Sequence, residues 1–414
     1  MSQKVYFKTF GCRTNIYDTQ VMIENLKDFD VVDDEKEADI IVINSCTVTN
    51  SADSRARSYI SKASKLDKKV IYAGCGAISK GEQLFNDKKV FGVFGHSEKE
   101  NINQILKKSE RFIQIGNLNS VEKSIVYDFE GKNRAFIKIQ EGCNFRCSYC
   151  IIPYVRGDAR SQDEEKILKQ IEILTQNDYN EFILTGTNIG SYGKDKGTTL
   201  SKLLKKISLI RGVKRIRLGS IEPVQIDDDF KEILDESWLE RHLHIALQHT
   251  NEEMLKIMHR RNSFKNDIKL FEELSDKGFA LGTDFIVGHP GESEERFEDG
   301  YKKLEILPLT HIHCFTYSKR EGTPSASMKE DIKGDVAKLR HSKVTKLIEE
   351  KNYNFRSKNK KPLEVLVEEF KEGYFTGFDQ FYNRIKIKSN ENLQNEWLEI
   401  NEYEVKKDMN YARF

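Results

Sequence analysis

Residues 141–150 read EGCNFRCSYC and directly follow AFIKIQ, an apolar, β-prone run at residues 135–140. Cys143, Cys147 and Cys150 are spaced CxxxCxxC, and no fourth cysteine stands close behind them. Thiolates this crowded suit a soft metal centre, but a structural zinc site takes four protein ligands. The next imidazole along the chain is His242, far from a local knuckle. A [4Fe-4S] cluster also has four corners, and three cysteines leave one iron open to a small molecule. A zinc knuckle closed from elsewhere satisfies the same spacing. A loop hung from the end of a strand favours the cluster.

Working outward, this strand opens a β/α series. The runs AFIKIQ, EFILTG, KRIRLGS, HLHIALQ, GFALGTDFIVG and HIHCFTY read as strands. Residues 164–175, 200–208 and 263–277 read as helices between them. Six units are too few to close an eight-fold barrel and predict a partial one, with its chemistry at the C-terminal strand ends.

Upstream, KVYFKTFG, ADIIVINSC, KKVIYAGC and KVFGVFG predict a small parallel α/β sheet, with helices over 18–27 and 52–66. Cys12, Cys46 and Cys75 each follow the apolar end of a strand. In an open α/β sheet those ends lie along one edge, so three cysteines remote in sequence converge there. Chance placement of buried cysteines is the plainer alternative. Downstream of Pro362, short alternating runs broken by Gly373 and Gly377 predict a small antiparallel β-barrel.

Composition sets the outer bounds. The 414 residues are 38% hydrophobic and 32% charged, with no run long and apolar enough for a membrane span and no leader-like opening. The expectation is a cytoplasmic protein without membrane contact. Lys+Arg 67 against Asp+Glu 66 gives no global field for nucleic acid, though residues 333–361 form a local basic stretch that reads equally as a solvated helix face and linker. Seven cysteines, an odd number, argue for metal or redox chemistry over a disulfide framework. Cys314 reads as a small buried hydrophobe.

The strand followed by CxxxCxxC resembles the radical S-adenosylmethionine (SAM) superfamily. KIQEGCNFRCSYCIIPYVRGDARS, HLHIALQ, TDFIVGHPGE and YSKREGTPSASM are similar to its methylthiotransferases over nearly the whole chain. The resemblance implies an α/β protein in three parts: an N-terminal unit at 1–125, a partial (β/α)6 barrel at 126–332 and, after a basic linker helix at 333–361, an RNA-binding TRAM barrel at 362–414. It implies two [4Fe-4S] clusters, one on Cys12, Cys46 and Cys75 and one on Cys143, Cys147 and Cys150, with SAM chelating the open iron of the second. Tyr149, Gly186, Asn188, Ser220, Glu222, Gln248, Ile286 and Val287 are the expected SAM contacts. Arg156, Arg160, Tyr374 and Phe375 are candidate RNA contacts, although aromatics at such spacing more often build a core, and Arg160 has the acidic run 163–165 as an alternative partner.

Within the family, NSCTVTNSADSRARSYI and IIPYVRG look most like the enzymes acting on N6-threonylcarbamoyladenosine beside the tRNA anticodon. The expected partners are tRNA and a one-electron donor of flavodoxin or ferredoxin type, with the sulfur source unassigned. Isopentenyladenosine in tRNA, an aspartate of a ribosomal protein, and a non-catalytic iron–sulfur carrier are the other readings. Thr187 and Asn188, His249 and Thr250, and His289 depart from the family pattern.

Overall fold

Runs of β-branched residues alternate with helical ones to give three sheet systems in the computed structural model, which describes residues 2–48, 50–129, 131–329, 331–359 and 361–414, the side chains of Asn50 and Ser51 excepted. Thr49 of the NSCTVTN motif, Glu130 and Glu330 of the expected central unit, and Lys360 of the basic stretch lie outside the described residues.

The first sheet is parallel throughout, in the order β2-β1-β3-β4-β5-β6. Its strands are β1 (Gln3–Thr9), β2 (Phe29–Val31), β3 (Ile40–Ser45), β4 (Lys69–Gly74), β5 (Gly92–Phe94) and β6 (Phe112–Gln114). Every residue of β3 is buried, as expected of a central parallel strand covered on both faces. Because β1, β3 and β4 are neighbours, their C-terminal ends are adjacent. Cys12 caps helix α1 (Arg13–Glu24), Cys46 follows β3 ahead of α2 (Asn50–Ala63), and Cys75 opens α3 (Cys75–Asn86).

The central strands are β7 (Ala135–Lys138), β10 (Glu181–Thr185), β11 (Arg215–Leu218), β12 (His242–His244), β13 (Ala280–Val287) and β14 (His311–Thr316). A short pair, β8 (Gln140–Glu141) with β9 (Arg160–Ser161), flanks the cysteine loop. The six expected runs therefore form two parallel triplets, β11-β10-β7 and β12-β13-β14. Isolated parallel bridges, Ile216 to Leu239 and Ile221 to Ile245, connect them. Among the described residues β7 and β14 do not pair, so the arc stays open.

A buried ionic seam joins the first sheet to this arc. Lys138 reaches Asp18 at 2.7 Å, Glu122 at 2.9 Å and Glu141 at 3.2 Å, and Lys99 reaches Glu122 at 3.0 Å. These side chains are at most 3% exposed. Replacing one member would leave its partners buried without a counter-charge, which is strongly destabilising.

The C-terminal sheet departs from expectation. Its strands, β15 (Leu363–Lys371), β16 (Tyr374–Phe378), β17 (Arg384–Lys388), β18 (Trp397–Ile400), β19 (Glu404–Val405) and β20 (Asn410–Arg413), run in the order β18-β15-β16-β17-β20-β19. β17 and β20 are parallel, and the edge strands β18 and β19 are not joined, so this is a curled half-barrel and neither fully antiparallel nor closed. The basic helix Gly334–Lys358 is also less solvated than its charge suggests. Arg340 is buried against Glu292 at 2.7 Å, and Arg356 donates to the carbonyls of Lys406 and Lys407.

Candidate active site

The loop after β7 is clamped from several sides. Cys143 N–H donates to Gly157 O (3.2 Å), and Ser148 N–H donates to Met258 O (3.1 Å). Ser325 donates its backbone N–H to Ser148 O, and its hydroxyl oxygen lies against Ser148 Oγ, both at 2.8 Å. His289, one of the departures from the family pattern, lies beneath this pair. Its Nε2 is 2.8 Å from Ser325 Oγ and its Nδ1 is 2.7 Å from Pro290 O, an arrangement that fits the neutral Nδ1–H tautomer. His249 and Thr250 are likewise structural, bonded to Glu292 and to the carbonyl of Gly300.

Burial holds the His289 imidazole down at about 4, against an ordinary 6.5. The unfolded chain therefore takes up the proton first as pH falls through 6.5, and stability declines from there toward 4. At about pH 5 this one group accounts for ~2 kcal/mol. The thermal midpoint is expected to fall more steeply between about pH 7 and about pH 5 in the wild type than in His289→Asn. Equal slopes in a calorimetric series would remove His289 as the source.

Each cysteine trio has one buried arginine at one of its sulfurs, and sequence reasoning missed both roles. Arg260 Nη1 lies 3.5 Å from Cys147 Sγ and 3.0 Å from Glu222, with its second nitrogen also on that carboxylate. Arg156 Nε lies 3.0 Å from Cys75 Sγ, while its Nη atoms bond Asn15 (2.7 Å), Asp18 (2.9 Å) and Glu141. Burial pushes Cys150 up to about 12 and Cys147 and Cys75 in the same direction; nearby arginine charge partly offsets this at Cys147 and Cys75. Cys12 moves the other way, to about 5, chiefly through its hydrogen bond with Cys46. Binding a soft cation at the raised thiols releases their protons.

All six cysteines line a single cavity of about 580 Å³ at the C-terminal strand ends. Gly11 makes the approach possible: it has φ +108°, and a Cβ there would overlap that of Cys46. The donor spacing tests what fits. A lone zinc bound at ~2.3 Å draws its sulfurs to about 3.8 Å of one another. Among the described residues the only trio of metal-ligating groups all within 4.8 Å is His244, Asp284 and His313, not either cysteine set. Neither sulfur trio is gathered as closely as one bound zinc would hold it, a spacing compatible with a multi-iron cluster.

The same cavity is lined by Tyr149, Gly186, Asn188, Ser220, Glu222, Gln248 and Ile286, bringing seven of the eight expected SAM contacts together. Asn188 Oδ1 is buried without a hydrogen-bond partner among the described residues. Tyr149 and Ile286 pack with Met254, Met258 and Tyr317. Val287 is the exception: it is fully buried in the main core and does not reach the cavity. Glu222 lines the wall, but its carboxylate is held by Arg260.

The surface expectations need correction. Arg156 is 2% exposed and cannot meet RNA. Arg160 bonds Glu141 at 3.2 Å and the carbonyls of Ser120 and Arg156, not the acidic run 163–165. Phe375 is core of the C-terminal sheet, whereas Tyr374 stays half-buried with Lys386 5.5 Å over its ring. Cys314 is half-buried on the cavity wall, not enclosed.

A second, larger cavity of about 950 Å³ shares Cys12, Cys46, Gly186, Thr187, Ser220 and Phe315 with the first. It runs out between the first sheet, the arc and the C-terminal sheet. Phe378 and Tyr382 stack at 4.8 Å on one side, and His242 stacks on Tyr382 at 5.2 Å. Gly282 leaves the space for His242 and His244, since a Cβ there would sit 2.9 Å from a ring nitrogen of each.

Comparison with known proteins agrees with this architecture. A family model for the radical SAM superfamily matches residues 137–304, and one described as uncharacterized protein family UPF0004 matches residues 4–95. The solved structure of TsrM, a radical S-adenosylmethionine methyltransferase from Kitasatospora setae, superposes with a TM-score of 0.58 at 15% identity over 79% of this chain and 77% of that one, which speaks to fold alone. A Helicobacter pylori strain J99 protein, named provisionally as a methylthiotransferase, is 55% identical over 100% of both chains. The Bacillus subtilis threonylcarbamoyladenosine tRNA methylthiotransferase MtaB is 35% identical over 94% of this chain and 91% of its own. Relatives named for a ribosomal protein and for dimethylallyladenosine match at similar identity. With two cysteine trios facing one chamber and whole-length identity of this order, the chain belongs to the radical SAM methylthiotransferases.

Proposed function

We propose that the protein converts N6-threonylcarbamoyladenosine in tRNA to its 2-methylthio derivative. As a radical SAM methylthiotransferase it works with SAM and two [4Fe-4S] clusters. The observation that carries the reading is the shared cavity: both cysteine trios open onto one chamber, which is continuous with a larger cavity leading outward.

Adenine C2 bears an unactivated C–H bond beyond the reach of acid–base side chains, and the bound cofactors supply a carbon-centred radical and a methylated sulfur. The chain's own residues position and shield. Cys143, Cys147 and Cys150 would ligate one cluster, and Cys12, Cys46 and Cys75 the other. Asn188 would satisfy its free carbonyl oxygen on the SAM amino acid moiety, with Gly186, Ser220 and Gln248 forming the polar wall. Tyr149 and Ile286 would flank the SAM adenine in a dry pocket. Glu222 acts through Arg260, holding that guanidinium against Cys147. On the outer side, Phe378 and Tyr382 form part of the wall of the larger cavity that would receive the target base, and Tyr374 remains a docking candidate on the C-terminal sheet.

Mass spectrometry of tRNA nucleosides from a strain lacking the protein tests this. Loss of the methylthio form of threonylcarbamoyladenosine alone is expected, with methylthio-isopentenyladenosine unchanged. An unaltered profile would overturn the proposal and direct attention to a ribosomal protein.

A further inference from the structure

We propose that Arg13 and Arg55 form a carboxylate site for the N6 substituent of the target base, so that the larger cavity selects an adenosine with an anionic side arm. This rests on the function proposed above and assigns its specificity to named residues.

The charge balance of the cavity wall points there. Arg217 lies 2.6 Å from both Glu181 and Glu240, so these charges are already satisfied. Burial holds His242 and His311 well down, to about 3 for His311, leaving both neutral. His244 and His313 both face Asp284, at 3.1 and 3.5 Å, and Arg13 and Arg55 remain. Among the described residues neither pairs with a carboxylate: Arg13 Nη2 donates to the Tyr382 phenol at 2.6 Å, and Arg55 lies 5.9 Å over the Phe10 ring. Their position is equally informative. Arg13 directly follows Cys12 at the start of α1, and Arg55 is borne by α2, the helix after Cys46. Both line the outer cavity beside two cysteines of the first trio.

The geometry of the purine connects these facts. C2 and C6 flank N1, so a substituent on N6 projects from the same edge of the ring as the carbon to be modified. If C2 faces Cys12 and Cys46, the arm meets the residues next to them. A threonylcarbamoyl arm ends in a carboxylate that two guanidinium groups can bind through charge-assisted, bidentate hydrogen bonds. An isopentenyl arm offers them nothing and would cover two cations without a counter-charge, which is costly.

The test measures binding of anticodon stem-loop RNAs to the anaerobically purified full chain. The three RNAs carry threonylcarbamoyladenosine, its methyl ester, or unmodified adenosine. Wild-type protein is expected to bind the free acid about tenfold more tightly than the ester or the unmodified RNA, the scale of hydrogen bonds to a charged group. Arg13→Gln and Arg55→Gln should each remove most of that preference while leaving the unmodified stem-loop unaffected. Arg55 is exposed on its helix, so its variant keeps the test sound even if the change beside Cys12 disturbs iron content. Equal weakening of all three RNAs would identify a backbone phosphate contact and overturn the proposal. A preference for the acid that survives in the double variant would overturn it too. The substrate reading stands or falls separately, on the nucleoside spectra.

Discussion

Arg156→Met is expected to lower the unfolding free energy by about 3–5 kcal/mol and to deplete the iron bound by the first cysteine trio. The guanidinium is 2% exposed and spends every nitrogen: one on Cys75 Sγ, the others on Asn15, Asp18 and Glu141. A thioether of similar length fills the volume but leaves two buried carboxylates short of a counter-charge. Urea unfolding of the anaerobic protein gives the first quantity, and iron and sulfide analysis gives the second. Arg156→Lys, which keeps the charge but loses the planar fork, should fall between. Wild-type stability and full iron in Arg156→Met would show that this arginine is a bystander.

Cysteine substitution should separate the two trios. Wild-type protein purified without oxygen is expected to hold about eight irons, and Cys147→Ala and Cys46→Ala about half that each, because either change dismantles one four-iron cluster. Their chemistry should differ. With SAM and dithionite, Cys147→Ala should make no 5′-deoxyadenosine, whereas Cys46→Ala should still make it yet deliver no methylthio group to RNA. A non-catalytic iron–sulfur carrier would give no 5′-deoxyadenosine in any form. Zinc in place of iron would remove the cluster reading altogether.

Much of this architecture was legible from the chain, for a physical reason. Strands buried on both faces, such as EFILTG and ADIIVINSC, must be continuous apolar runs, and a cysteine at the end of such a run lies on the ligand-bearing edge of the sheet. The short strands Phe29–Val31 and Phe112–Gln114 carry too few residues to show alternation. The direction of the final strand is invisible for another reason: period-two patterning marks faces, not polarity, so the parallel β17–β20 pair could not be read. Val287 is different, because a signal was present. Adjacent residues on a strand point to opposite faces, so Ile286 and Val287 could not both meet one ligand. For Arg156 no local signal existed. Its partners come from residues 15 and 18, 75 and 141, and only the folded chain brings those segments together.

The ionic seam along Lys138, Glu122, Asp18, Glu141 and Arg156 has a preparative consequence. Mobile counterions screen exposed charges over roughly 8–10 Å at ordinary ionic strength but penetrate buried pairs far less. Concentrated chloride should therefore strip a polyanion from the outer arginines while the spacing of the two sulfur trios stays as it was.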